Sequence, residues 1–340
     1  GKMDLSQAEA VADVIASRSA AAHKVAVSQM RGGFSRKLQL LRAQLLKFTS
    51  LIELELDFSE EDVEFADRSQ LKALSNEIES DLTRLINSFS TGNAVKNGVP
   101  VAIVGETNAG KSTLLNLLLG DDKAIVSDIH GTTRDIIEDT TDIGGMLFRF
   151  IDTAGIRETT DTIENLGIKR SYGAIEKAQI VLWMIDSTQV SEHIDWMAER
   201  IVPRTEGKQL FLLFNKIDKL SDEERAVLDG MFANIQAQRF FISAKFDNGL
   251  DAVRDALVEA SHMAEIDDND VVVTNMRHYE AFVTAHTAIL KVQEGLATGL
   301  SGEFLSMDLH DCLDALGSIV GQISSDEVLG EIFSKFCIGK

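Results

Sequence analysis

Cysteine is scarce in this chain: 340 residues contain only two, Cys312 and Cys337. Two cysteines cannot supply a disulfide framework, and no Cys/His cluster has the spacing of a zinc site. Long apolar runs are also missing, since Ile180–Ile185 is far too short to span a bilayer. No secretory signal opens the chain, so we expect a cytoplasmic protein without a membrane segment.

Positive charge is outnumbered, with 33 Lys and Arg against 54 Asp and Glu and a net charge of −21. This balance repels nucleic acid, because phosphate binding needs basic side chains. From Val14 to Ile52, however, there is no acidic residue. The basic residues of that stretch are Arg18, Lys24, Arg31, Arg36, Lys37, Arg42 and Lys47. The pattern fits a solvated helix face, and it also fits a surface for RNA or an acidic partner.

Apolar periodicity divides the chain into three segments. In residues 1–93 and 266–340, apolar side chains recur at spacings of three and four, which predicts helices. A coiled-coil seam would show the same spacing of apolar residues. The two stripes are Leu38, Leu41, Leu45, Phe48 and Ile52, and Leu309, Leu313, Leu316, Val320 and Ile323. In 94–265, short apolar runs alternate with helical segments, which is typical of a doubly wound, mostly parallel sheet. We therefore predict an α/β domain inserted in a helical-bundle domain.

A phosphate-binding motif follows the first predicted strand, Pro100–Val104. Residues 105–112, GETNAGKS, fit GxxxxGK[ST] between a strand and a helix, the context that this motif requires. The glycines let backbone N–H groups converge on the β-phosphate at a helix N-terminus. Lys111 should bridge the β- and γ-phosphates, and the Ser112 hydroxyl should ligate magnesium. The other predicted nucleotide contacts here are Asn108, Ala109, Gly110 and Thr113.

Three further motifs each end a predicted strand. Asp152-Thr153-Ala154-Gly155 places a carboxylate near magnesium and a backbone N–H near the γ-phosphate. Asn215-Lys216-Ile217-Asp218 supplies a carboxylate that can accept from both N1–H and the 2-amino group of guanine. Ser243-Ala244-Lys245 can present backbone N–H to guanine O6. Because adenine lacks the donor pair that the Asp218 carboxylate needs, the four motifs together predict a P-loop domain that binds GTP.

The switch segment and its surroundings carry the remaining catalytic expectations. In Gly131-Thr132-Thr133-Arg134-Asp135, Thr133 is expected to complete the magnesium shell when the γ-phosphate is present. Small G proteins place a Gln after Asp-x-x-Gly to orient water, but here Ile156 can neither donate nor accept. A positive charge must also replace the arginine finger, which is worth roughly 10³–10⁵ in rate. Arg157 is one candidate for that charge.

Several segments together resemble the MnmE (TrmE) family of tRNA-modifying GTPases. They are the P-loop Asn108, residues 131–135, residues 152–158 and the closing Phe336-Cys337-Ile338-Gly339-Lys340. Residues 1–10 are similar to the start of that family's helical domain, so the resemblance covers the whole chain. The opening Gly1-Lys2, without Met, and the lack of the family's N-terminal folate-binding domain lead us to expect a piece of a longer protein.

The resemblance implies that potassium supplies the missing positive charge. Its ligands would be Asn108, Ser127, Ile129 and Thr132, with Asp128 in the same nucleotide-binding loop. The family has Thr in place of Ser127, and the hydroxyl is retained. The resemblance assigns the water-orienting, catalytic role to Glu164, which spacing alone would make a solvated helix residue.

The resemblance also implies a biological setting. In the family, two G domains of a homodimer meet across their nucleotides, and a flavoprotein partner, MnmG (GidA), helps to modify carbon 5 of the wobble uridine of tRNA. A folate (5-formyl- or methylene-tetrahydrofolate) provides the one-carbon unit. Lys2 and Lys340 match positions near that folate, and Cys337 matches a terminal cysteine for which a part in the chemistry is a hypothesis.

Two other classes of GTPase fit parts of the pattern. One is a ribosome-assembly switch of the Era-like kind, which usually carries a recognisable RNA-binding domain and a basic balance. The other is a scaffold of the dynamin or septin kind, whose helices transmit the nucleotide state to polymerisation. Growth into large polymers with GTP would favour the scaffold, and unchanged wobble nucleosides after gene deletion would favour the switch.

Overall fold

The structure, a computed structural model, describes residues 3–57, 68–120, 138–151, 164–189, 192–261 and 271–321, with only the backbone described at 164–170, 192 and 193. The chain divides into two compact units. The helical unit comprises Gly1–Lys96 and Glu265–Lys340, and the G unit comprises Asn97–Ala264. These divisions lie a few residues from the sequence-based boundaries at 93/94 and 265/266. Within the described ranges, no helix is long and apolar enough to cross a bilayer.

Six helices form the described part of the helical unit. They are α1 (Leu5–Ala16), α2 (Ala20–Met30), α3 (Gly33–Asp57), α4 (Arg68–Asn97), α10 (Met276–Thr298) and α11 (Gly302–Val320). Side-chain caps set several of their starts: the Asp4 carboxylate accepts from the Gln7 backbone N–H at 2.8 Å, and Asn275 caps α10 in the same way. Such caps satisfy donors that have no partner inside the helix.

The core of the helical unit is built from the apolar stripes seen in the sequence. Leu38, Leu45 and Phe48 of α3 are buried in one cluster with Leu309 and Leu316 of α11, so both helices are confirmed as far as Val320. Ile323 of the second stripe lies outside the described residues. Because the same cluster includes side chains of α4 and α10, the stripe serves a multi-helix bundle rather than a two-helix seam. Truncating one such Leu to Ala would cost about 2–5 kcal/mol.

A polar network joins the two halves of the helical unit. The Glu9 carboxylate of α1 accepts from Arg277 Nε at 3.1 Å and lies 2.8 Å from His278 Nε2 of α10. Burial lowers the pKa of His278, although the Glu9 charge opposes the change. Burial would raise the pKa of Glu9, but its bonds from Arg277 and His278 outweigh this and hold it below its ordinary value. The network therefore binds distant parts of the sequence through charge-assisted bonds.

The G unit is an α/β structure around a six-stranded sheet. Its strands are β1 (Val99–Gly105), β2 (Asp139–Ile143), β3 (Met146–Ile151), β4 (Ile180–Asp186), β5 (Gln209–Asn215) and β6 (Gln238–Phe241). Its helices are α5 (Lys111–Leu119), α6 (Glu164–Lys177), α7 (Glu192–Ile201), α8 (Asp222–Met231) and α9 (Leu250–Ala260). The strand order is β2-β3-β1-β4-β5-β6. The carboxyl ends of the parallel strands β1, β4, β5 and β6 therefore lie along one edge.

Two features of the backbone differ from the sequence-based expectation. The strand β2 was not predicted, because its sequence, DTTDI, is polar and it pairs antiparallel at the edge of the sheet. The first helical segment also runs past residue 93, where the sequence analysis ends it, since α4 passes through Gly92 and continues to Asn97. Helical glycines are tolerated at a cost of about 1 kcal/mol relative to Ala, so a single Gly does not end a well-packed helix.

Candidate functional site

The loop between β1 and α5 is a tight backbone cradle. Gly105 and Gly110 have φ angles of +146° and +105°, which L side chains rarely adopt. A Cβ on Gly105 would overlap the Met184 carbonyl oxygen, and a Cβ on Gly110 would overlap the Asn215 amide nitrogen. Both positions therefore require glycine, and the loop can close against β4 and β5 only because of them.

Lys111 directs its ammonium group into this cradle. Its Nζ donates to the Gly105 carbonyl at 2.8 Å and to the Glu106 carbonyl at 2.6 Å. Burial lowers the pKa of Lys111 to about 8, although the Glu106 charge acts in the opposite direction. A desolvated cation at the N-terminus of a helix favours an anionic ligand. The cradle therefore fits a phosphate group, with Ser112 and Thr113 on the first turn of α5.

Asn215, the last residue of β5, connects the phosphate loop with the loop after β6. Its amide nitrogen donates to the Ala109 carbonyl at 2.8 Å, and its amide oxygen accepts from the Ala244 backbone N–H at 2.9 Å. The side chain is only 3% exposed. Asn215 therefore links the two loops from beneath the site, and its amide group makes its hydrogen bonds with backbone groups rather than with solvent.

Asp218 presents the carboxylate that the sequence assigns to guanine. The Ser243 hydroxyl donates to Asp218 Oδ1 at 2.6 Å, and this bond holds the pKa of Asp218 below its ordinary value. The carboxylate is exposed, so it is ionised and accessible at neutral pH. Lys245 is also exposed, and its ammonium lies 5.0 Å from the centre of the Phe246 ring. The ends of β5 and β6 thus bring a fixed acceptor close to the loop of Ser243, Ala244 and Lys245, in which the Ala244 N–H is bonded to the Asn215 amide oxygen.

Asp186 belongs to the same edge of the sheet, although the sequence analysis missed it. It ends β4 beside Asn215 and pairs with the Lys216 ammonium. An acidic residue that ends a wholly apolar strand in an α/β fold was the available signal. Lys216 itself has a left-handed backbone, with φ at 67°.

Asn108 is the one predicted potassium ligand that the structure describes. It lies exposed on the phosphate loop with φ at 64°, a conformation that Asn tolerates better than most residues. Glu164 begins α6, where only the backbone is described. The following predicted residues lie outside the described part of the chain: Lys2, Ser127, Asp128, Ile129, Thr132, Thr133, Asp152, Thr153, Ala154, Gly155, Cys337 and Lys340. Their assignments stay predictions.

Cys312 is buried in the helical core, where desolvation raises the pKa of its thiol to about 12. A thiol of this kind is inert at neutral pH. His310, in the same helix, lies 2.8 Å from Glu53 of α3 and is part of a helix contact. Both residues therefore belong to the packing of the helical unit.

A phosphate cradle at the end of β1 and a guanine-type motif at the ends of β5 and β6 define the class of the protein, a P-loop GTPase. The comparisons narrow this class. Residues 5–337 match the family model described as the MnmE helical domain. The chain belongs to the MnmE family.

Curated relatives support the same membership. The tRNA modification GTPase MnmE of Bacteroides fragilis is 59% identical over 343 residues, which cover 100% of this chain and 74% of that protein. The protein of the same name from Bacteroides thetaiotaomicron is 58% identical with the same coverage. A solved structure of Era from Aquifex aeolicus, with GDP and aluminium fluoride, is 26% identical over 56% of this chain and 66% of that chain. Its TM-score of 0.39 is too low to support a conclusion.

Proposed function

We propose that this chain binds and hydrolyses GTP in a potassium-dependent reaction. We further propose that it takes part, with the flavoprotein MnmG, in modifying carbon 5 of the wobble uridine of tRNA in the cytoplasm. The observation that carries the first part is the meeting of Lys111, Asn215 and Asp218 at one sheet edge. The names of the curated relatives, which are tRNA modification GTPases, support tRNA modification in general, and the MnmG partner and the carbon-5 position are what the resemblance to the family implies.

Selectivity for guanine follows from the Asp218 carboxylate. Ser243 occupies Oδ1 at 2.6 Å, which fixes the orientation of the group before any nucleotide arrives. An ionised carboxylate accepts hydrogen bonds and donates none, so it matches the two adjacent donors of guanine. Adenine offers no such pair at the same edge. The site therefore favours GTP over ATP.

The metal ions are assigned to residues of suitable chemistry. Magnesium would be held by the hydroxyls of Ser112 and Thr133 together with phosphate oxygens, and hard oxygen ligands of this kind suit it. Potassium would be held by Asn108, Ser127, Ile129 and Thr132. Asn108 offers an exposed amide oxygen, and oxygen dipoles of this kind replace the water around potassium elsewhere. When bound, the two cations supply positive charge beside the phosphates.

Catalysis also needs a group to orient the attacking water. Ile156 cannot serve, because its side chain has no polar atom. We assign the role to Glu164 at the start of α6, in agreement with the family pattern. The nucleotide-dependent meeting of two G domains in a homodimer is part of the same proposal, as is folate binding by the whole protein.

An exposed face of α3 carries two basic residues of the kind that contact tRNA phosphates. Arg36, Leu40, Ala43 and Lys47 follow one another at helical spacing on α3, and all four are exposed. Leu40 is 66% exposed between the two basic residues. Because no acidic residue occurs in 14–52, we assign this exposed face of α3 to contact with tRNA phosphates.

Potassium dependence is tested by hydrolysis in matched salts. GTP turnover should be much faster in potassium chloride than in sodium chloride at equal ionic strength. Asn108→Ala should remove most of the difference, while Asn116→Ala, on the exposed side of α5, should leave it unchanged. Equal rates in the two salts would contradict the assignment.

The tRNA part has two tests. Deletion of the gene should abolish the carbon-5 modification of wobble uridine, measured by mass spectrometry of tRNA nucleosides, and unchanged nucleosides would favour an Era-like switch.

The exposed face of α3 is tested by the salt dependence of tRNA binding. The double variant Arg36→Glu with Lys47→Glu should reduce the magnitude of the negative slope of log affinity against log salt by roughly 2. Lys72→Glu, an exposed change on α4, is the control. An unchanged slope would exclude this face.

A further inference from the structure

The guanine motif at the end of β5 continues into a short helical turn that carries Asp218. This turn spans Ile217–Lys219, and within it Ile217 is buried whereas Asp218 is exposed. The carbonyl of Ile217 lies in one planar peptide unit with the N–H and Cα of Asp218. A group that holds the Ile217 carbonyl therefore also fixes the plane from which the Asp218 side chain projects.

An arginine of the next helix holds that carbonyl. Arg225 Nη2 donates to the Ile217 carbonyl oxygen at 2.9 Å, and the Leu220 backbone N–H donates to the same oxygen at 3.1 Å. The Ile217 N–H donates in turn to the Ile242 carbonyl at 3.3 Å, just beyond the end of β6. A hydrogen bond from an ionised donor is stronger than a neutral one. The peptide before Asp218 is therefore held by a cation as well as by backbone groups.

Arg225 projects from a well-capped helix start. In the capping box of α8, the Ser221 hydroxyl accepts from the Glu224 N–H at 3.3 Å, and the Glu224 carboxylate accepts from the Ser221 N–H at 2.8 Å. The Arg225 N–H donates to the Ser221 carbonyl at 3.1 Å. The ion pair of Arg225 with Asp222 is long, at 3.5 Å, and Asp222 is 96% exposed. Because exposed ion pairs contribute little, the bond to Ile217 is the contact that directs the guanidinium.

Asp218 is thus held at two places, its side chain and the peptide before it. The Ser243 hydroxyl bonds to Oδ1 of the carboxylate at 2.6 Å, and Arg225 bonds to the carbonyl of the preceding peptide. Guanine presents two donors side by side, so the carboxylate must face both at once. A group that is already ordered loses less conformational freedom on binding. Both anchors therefore favour recognition of the base.

We infer that Arg225 is a positioning residue for guanine recognition: its bond to the Ile217 carbonyl orders the turn that presents Asp218 before the nucleotide binds. The inference rests on the proposed GTP site and adds to it a residue from outside the four motifs. Arg225 acts through the peptide and not by contact with the base. Its role is therefore in affinity and selectivity for the base, rather than in phosphate binding or in the chemical step.

Binding measurements on the whole chain separate the base from the phosphates. Arg225→Met keeps a long apolar stem and removes the guanidinium, so the Kd of GDP and KM for GTP should both rise roughly 10-fold. The Kd of pyrophosphate, which has no base, and kcat should both stay within about two-fold. Arg239→Met removes another arginine that is bonded to α8, through Asp229 at 2.9 Å, and should leave all four constants unchanged.

Selectivity and a double-mutant cycle test the route through Asp218. Inosine diphosphate (IDP) lacks the 2-amino group of guanine and offers Asp218 one donor instead of two, so Arg225→Met should weaken GDP binding more than IDP binding. In the Asp218→Ala background, Arg225→Met should add nothing to the rise in GDP Kd. Arg225→Lys keeps a donor on a flexible stem and should recover part of the lost affinity. If Arg225→Met does not fold, Arg225→Lys should still bind GDP more weakly than the wild type and pyrophosphate equally well.

The outcomes also distinguish this inference from the proposed function. Equal losses of GDP and pyrophosphate affinity, or additive losses with Asp218→Ala, would overturn the positioning role. A wild-type chain that binds no GDP would refute the GTP site itself. A wild-type chain that binds GDP, with Arg225→Met binding equally well, would refute only the positioning role.

Discussion

Asn215→Ala is the substitution whose effect the structure defines best. The Asn215 amide makes two hydrogen bonds with backbone groups, to the Ala109 carbonyl at 2.8 Å and from the Ala244 N–H at 2.9 Å. Ala109 and Ala244 are both buried, at 0% and 3% exposure. Removing the amide would leave a buried acceptor and a buried donor without their partner.

The magnitude follows from those two groups. A buried polar group that loses its hydrogen bond costs about 1–3 kcal/mol, so the substitution should destabilise the G unit by about 2–6 kcal/mol. This is a large share of the roughly 5–15 kcal/mol by which a domain is stable. With a urea m-value of about 2 kcal/mol per M, the unfolding midpoint should fall by roughly 1–3 M.

Tryptophan fluorescence can report this change in the intact chain. The two tryptophans, Trp183 and Trp196, both lie in the G unit, on β4 and α7. Urea unfolding followed by their emission therefore monitors the G unit separately from the helical unit. Circular dichroism of the same samples reports the helices of both units, so the part of its transition that the tryptophan emission does not show belongs to the helical unit and should not move.

A matched control separates the hydrogen bonds from the loss of an amide. Asn116→Ala removes an exposed amide on α5 of the same unit and should change stability by less than about 0.5 kcal/mol. Asn215→Asp keeps the acceptor for Ala244 but not the donor for Ala109, so it too should destabilise. If Asn215→Ala were as stable as Asn116→Ala, the link between the two loops would be refuted.

Three other predictions concern ligand binding and turnover. Asp218→Asn should weaken GTP binding by about 10-fold or more and improve XTP binding, because an amide can donate to the 2-oxo group of xanthine. Competition titrations with GTP and XTP test this, and an unchanged preference for GTP would contradict it. Glu164→Ala should keep GDP affinity and lose most single-turnover hydrolysis, whereas normal turnover would favour Arg157. A bound phosphate should raise the lowered pKa of Lys111 towards its ordinary value, so GDP binding above pH 8 should take up a proton. The GDP Kd should then rise by up to about tenfold per pH unit. Titration heats at pH 8.5 that do not depend on the buffer would refute this prediction.

The sequence was most informative where local chemistry alone determines structure. The stripe from Leu38 to Ile52 predicts a helix because one face must be buried, and that face is the core of the helical unit. The apolar runs of β4 and β5 predict central strands, since strands buried on both faces have few polar residues. The glycine positions of the phosphate loop are also local, because φ angles above zero select glycine.

The sequence was least informative where structure depends on neighbours in space. The strand β2 is polar and exists through its pairing with β3. The end of α4 could not be read from Gly92, because tertiary packing outweighs the small propensity cost of one glycine. Asp186 matched no motif, since its partner is set by the register of β4 against β5. The partner of a single carboxylate at a strand end can be identified only when the adjacent strand is known.

Burial separates two kinds of residue at this sheet edge. Asp218 and Asn108, which we expect to contact the nucleotide and its cations, are exposed, whereas Asn215 and Asp186 are at most 6% exposed. An exposed contact can be removed at little cost to the fold, so its loss should change affinity alone. A buried connector holds backbone or side chains of two strands, so its loss should change affinity and stability together. A substitution at this edge that lowers GDP affinity without moving the urea midpoint therefore identifies a residue that touches the ligand.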